Sequence, residues 1–153
     1  MVDCHICERI QARDAGNAPM WDNVCRFQHW DLVHSYNSSL LGWLVLVTRR
    51  HVSTTHELSD GESSEFGKLA PAISKSLHAE LDCVKVYQMQ YSEQPGHEHI
   101  HVHFVPRASD IPTDRKGVFA FGYLGANEDE RVSEVEMNSL ASRLQSQLTE
   151  FMS

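Results

Sequence analysis

The chain has 153 residues, 41% of them hydrophobic and 22% charged, with 13 basic residues against 21 acidic ones and a formal net charge of −8. That length predicts one domain spanning 1–153 with a core of its own. The acidic balance argues against general nucleic-acid binding, so an anionic ligand has to be held by local positive groups.

In chain order, Cys4 and Cys7 come first, as a Cys-x-x-Cys within a segment spanning 1–16. Such a pair is a redox motif, half of a zinc site or chance. Thioredoxin-like chemistry wants a preceding strand, and none is present. A closed zinc site needs two further ligands from elsewhere. Residues 8–14 predict a short helix stopped near Gly16 and Pro19. Val24 to Phe27 and Trp30 to Tyr36 read as strands, Asn37-Ser38-Ser39 as a turn, and Trp43 to Thr48 as a near-continuous apolar strand buried on both faces. Cys25 and Cys83 read as small core residues. The longest apolar run, Leu40 to Val47 with one glycine, is too short to cross a bilayer, and no charged-then-apolar leader opens the chain. The expectation is a cytoplasmic protein without a membrane partner.

Ser59-Asp60-Gly61-Glu62 has the spacing of a capping box and opens a helix along which Phe66, Leu69, Ala70, Ile73, Leu77 and Leu81 recur at helical intervals. Pro71 should kink that helix or mark a late start. Val84 to Tyr91 and His99 to Val105 are two more strands, joined by a polar loop holding Pro95-Gly96. Residues 108–130 read as irregular except for the apolar stretch Val118 to Tyr123. A final helix over about 132–151 sets Val135, Leu140, Leu144 and Leu148 on one side. Sequential strands with few long helices predict an α+β fold around an antiparallel sheet.

The run His99-Ile100-His101-Val102-His103-Phe104-Val105-Pro106-Arg107 carries the chemistry. Strand side chains alternate, so His99, His101 and His103 share one face while Ile100, Val102 and Phe104 point into the core. Thr or Val would make a better strand, so the imidazoles are a chemical surface. Same-face residues lie roughly 6.6 Å apart, close enough for neighbouring rings to converge on one atom. Two chemistries fit: zinc ligation, or attack of one imidazole on phosphorus while its neighbour holds phosphate oxygens. His5, His29, His34, His56 and His78 carry no motif and read as surface, and Gln94, His97 and Glu98 as a solvated loop.

At these residues the chain resembles the histidine triad (HIT) superfamily of nucleotide hydrolases and transferases. Its motif, His-apolar-His-apolar-His-apolar-apolar, is met at every position from His99 to Val105. The resemblance extends to Gly42 through Val52 and to the Cys4-x-x-Cys7 of the zinc-containing bacterial branch, covering residues 1–107 in order. It implies a HIT-like antiparallel sheet of about five strands with two main helices. It further implies that His101 attacks the α-phosphorus of a nucleoside phosphate derivative, an adenylate or guanylate, and forms a nucleotidyl-histidine. His103 would donate to phosphate oxygens, His99 support the rings, and Gln88 contact phosphate, with backbone donors near Gly96 assisting. Ser35 and Tyr36 would meet ribose and base. Cys4, Cys7, His51 and His99 would hold a structural zinc, and two chains would pair as a homodimer through a continuous sheet.

Three departures stand out. Trp43 occupies the position of a fourth histidine and would narrow the pocket or stack on a base. Ser35 replaces an Asp or Asn, and Gln94 to Glu98 departs from the Gly-Gln-Ser/Thr-Val pattern, leaving the residue that assists the leaving group unassigned. The competing readings are a zinc-dependent hydrolase with the triad as ligands and a nucleotide-binding or scaffold protein with little turnover.

Overall fold

Among the described residues five strands form one antiparallel sheet in the order β1-β2-β3-β5-β4: β1 (Cys25–Arg26), β2 (Trp30–His34), β3 (Leu44–Thr48), β4 (Lys85–Met89) and β5 (His101–Arg107). The computed structural model describes residues 3–152; the ends of the expected domain, residues 1, 2 and 153, lie outside them. Three α-helices among the described residues accompany the sheet: α1 (His5–Asp14), α2 (Asp60–Glu80) and α3 (Glu134–Leu148). Among the described residues, no helix is long and apolar enough to cross a membrane.

Register decides which side chains share a face. Leu44 pairs with Phe104 and Leu46 with Val102, so this face buries apolar residues against Leu69, Ile73 and Leu77 of α2 and Leu140 and Leu144 of α3. Each fully buried Leu or Ile in that layer contributes about 1.5–3 kcal/mol. On the opposite face Val45 pairs with His103 and Val47 with His101, and Ile6 and Ile10 of α1, with Cys4 just before it, pack on Val47. Helices on both faces explain why β3 is apolar from Leu44 to Val47.

The helix ends follow their caps. Ser59 and Glu62 complete both halves of the expected capping box, and α2 runs unbroken through the exposed Pro71. A second box, Ser133 with Glu136, starts α3 two residues after the expected point. Val135 therefore falls in the first turn, away from the buried stripe, and is 79% exposed; Met137 takes the core position instead. α1 begins at His5 because the Cys4 sulfur caps it, accepting the Cys7 N–H at 3.5 Å. A buried ion-pair network anchors α1 to the sheet: Arg13 Nε donates to Asp31 Oδ2 at 2.9 Å and Arg13 Nη1 to Asp22 Oδ1 at 3.1 Å.

Candidate active site and metal centre

His99 lies outside β5, two residues before its start, and this splits the expected row of three histidines into two sites. Ile100 turns the chain there, its N–H donating to Val52 O at 2.7 Å while its carbonyl accepts from Thr48 N at 3.2 Å. The His99 ring is fully buried and meets the N-terminal cysteines, with Nδ1 3.6 Å from Cys4 Sγ and 3.5 Å from Cys7 Sγ. His51 Nδ1 lies 3.3 Å from Cys7 Sγ, and one ligand atom from each of the four side chains falls within 4.8 Å of the others. A tetrahedral zinc with ordinary bond lengths holds nitrogen and sulfur about 3.5 Å apart, so these spacings suit one ion. The tautomer suits it too. His99 Nε2 donates to Thr48 O at 2.6 Å, which leaves the Nδ1 lone pair facing the sulfurs. Burial and the neighbouring Cys4 push the Cys7 thiol up to about 11, so two thiolates here call for a cation.

His101 and His103 occupy the strand itself, their rings 5.1 Å apart and nearly perpendicular. Burial disfavours the charged form of both: it lowers the pKa of His101, and that of His103 falls to about 3 with His101 adding to the effect. His101 Nδ1 donates to the His99 carbonyl at 2.7 Å, so its lone pair sits on Nε2, which no hydrogen bond among the described residues engages. His103 Nδ1 accepts the Trp43 indole N–H at 3.0 Å.

Both rings open on a cavity of about 510 Å³. Ser35 and Tyr36 line it. Gln88 does not. It pairs with Phe104, not with a histidine, so it points to the helix-covered face and lines a separate apolar pocket there. Trp43, expected to narrow the pocket or stack on a base, is fully buried behind His103 and does not line the cavity. The donors expected near Gly96 are engaged: Gly96 N–H donates to Glu98 Oε2, His97 N–H to Gln94 O and His99 N–H to His97 O. His34, expected at the surface, is 2% exposed, with Nδ1 donating to Ser35 O at 2.8 Å and Nε2 accepting Gly42 N–H at 2.9 Å.

Several lining residues were not anticipated. His5, Gln94 and His97 reach the cavity because the His5 N–H donates to Gly96 O at 2.9 Å, joining α1 to the loop before the triad. The implied ligand set already carried that signal, since bringing Cys4 to His99 brings His5 to His97. Asn37, whose Oδ1 accepts from Ser35 Oγ at 3.1 Å, also faces in. Phe121 comes from the 3₁₀ segment Gly117–Tyr123 and sets its ring 5.4 Å from His103. Only the apolar stretch Val118 to Tyr123 hinted at that wall.

Neither a protein-family model nor a curated protein matches the sequence. Solved structures do match in fold. A histidine triad protein from Marinobacter aquaeolei superposes with a TM-score of 0.69 at 16% identity, covering 84% of this chain and 89% of that one. A zinc-bound histidine triad family protein from Mycobacterium smegmatis gives 0.62 at 14% identity, over 94% and 96% of the two chains. An ADP-glucose phosphorylase from Arabidopsis thaliana with bound ADP-glucose gives 0.62 at 15% identity, over 91% of this chain and 42% of that one. The chain thus has the α+β fold of the histidine triad proteins.

Proposed function

We propose that this chain is a single-domain HIT-type enzyme that transfers or hydrolyses nucleotidyl groups through His101. The supporting observation is the geometry of that ring: Nδ1 is fixed by the His99 carbonyl and the ring lines the cavity, where burial favours its neutral form. The Nε2 lone pair attacks the α-phosphorus of an adenylate or guanylate, forming a P–N bond as the bond to the leaving group breaks. That group departs with the bonding electrons and takes up a proton. Water or another acceptor then attacks phosphorus, loses its proton, and the P–N electrons return to His101. His103 faces the phosphate oxygens, and Ser35, Tyr36 and Asn37 face ribose and base.

Cys4, Cys7, His51 and His99 would hold a structural zinc, whose four protein ligands leave no open position for water. The ion would tie α1 to the loop before β5. A zinc hydrolase using the whole triad finds no support, since His101 and His103 fall outside the ligand group found among the described residues. The edge position of β4 supports a homodimer through a continuous sheet, and the reading is of a cytoplasmic protein. The test is turnover of adenosine and guanosine phosphoramidates and dinucleoside polyphosphates by wild type and His101→Asn, both folded and zinc-loaded. Turnover by the wild type alone is expected; equal turnover by the variant would overturn the reading.

A further inference from the structure

We propose that Trp43 is a positioning residue for His103, its indole N–H holding that ring in the Nε2–H form so that the cavity meets a fixed N–H beside the lone pair of His101. The inference rests on the reading of His101 as nucleophile. An indole nitrogen only donates, so at 3.0 Å the His103 Nδ1 must accept, and a neutral imidazole that accepts at Nδ1 carries its proton on Nε2. No hydrogen bond among the described residues engages that Nε2, and the ring lines the cavity. Trp43 cannot turn away or lend its N–H to water, because it is fully buried in a cluster with Val105 and Ala120. The Trp43 and Phe121 rings each pack nearly perpendicular to His103, with ring centroids 5.6 and 5.4 Å away.

The neighbouring rings are thereby fixed in opposite tautomers by opposite partners. A carbonyl acceptor sets His101, and an indole donor sets His103. One presents an electron pair and the other a hydrogen-bond donor, the pairing needed to attack phosphorus while holding its oxygens. Protonating His103 would set a second N–H against the indole, so Trp43 also opposes the charged ring. Where the chain departs from a fourth histidine, it uses a donor that does not titrate.

Long-range proton–nitrogen correlation spectra of the protein labelled at its histidine nitrogens test this, with His103 assigned by loss of its signal in His103→Asn. The wild type is expected to keep the Nε2–H pattern from about pH 8 to about pH 5.5. Trp43→Phe removes the donor. Benzothienylalanine at position 43 removes it while preserving the ring shape, which separates the donor from packing. Both are expected to mix the Nδ1–H and Nε2–H tautomers while the ring, still buried, stays neutral. With adenosine phosphoramidate, kcat should fall about tenfold in both while KM changes little. A wild-type His103 protonated at Nδ1, or a pattern unchanged in both replacements, would overturn the proposal. A wild type that turns nothing over speaks against the proposed reaction instead, and the spectra still decide the tautomer.

Discussion

His34 offers a sharp energetic prediction. Burial lowers its pKa from 6.5 to about 4, and both ring nitrogens are committed to the backbone, to Ser35 O and Gly42 N. The folded ring therefore resists a proton that the unfolded chain accepts readily. Its contribution to stability is complete above pH 6.5, declines as pH falls from 6.5 toward 4, and is gone below that. A gap of about 2.5 units corresponds to about 3 kcal/mol in full, of which about 2 kcal/mol is lost by pH 5. His99, His101 and His103 are lowered in the same direction, so the wild-type pH dependence alone does not isolate His34. Urea unfolding of wild type and His34→Gln at pH 7.5 and pH 5 does isolate it. The variant should be less stable at pH 7.5, and its loss between the two values should be smaller than the wild type's by about 2 kcal/mol. Equal losses in the two proteins would refute the assignment of a buried, neutral His34.

Other consequences follow from the remaining contacts. Elemental analysis should find one zinc per chain in the wild type and little in Cys7→Ser or His51→Asn, whose melting temperatures should also fall. Arg13→Ala should destabilise by about 3 kcal/mol in urea, because it strips Asp31 of a buried partner, whereas Arg9→Ala at the partly exposed end of the network should cost about 1 kcal/mol or less. Gln88→Ala should leave kcat/KM within about twofold of wild type, since Gln88 faces the helices; a loss of about a hundredfold would place it at the phosphate after all.

What was legible in the sequence was mostly local. Alternation at Ile100, Val102 and Phe104 marked one face as core, and the capping box before Glu62 marked the start of α2. The resemblance went further, grouping Cys4, Cys7, His51 and His99 before any geometry was available, and these four do come together. Gln88 was misplaced because its face depends on the β4–β5 register, and a shift of one residue exchanges the two sides. His34 was misjudged for a related reason. Its partners are backbone atoms brought near by the turn between β2 and β3, where Gly42 holds φ +91° with Leu81 and Pro106 against it. Composition carries no sign of such a contact. Trp43 and Phe121 were equally hidden, since each acts on His103 from a distant part of the chain.

The most direct test of the central claim is intact-mass analysis of protein acid- and base-quenched during turnover of adenylated and guanylated compounds. A mass gain of one nucleotidyl group, mapped to the peptide carrying His101, stable to base and lost in acid, and missing from His101→Asn, is the expected result. Turnover with no adduct on wild type, or an adduct that persists in His101→Asn, would contradict it.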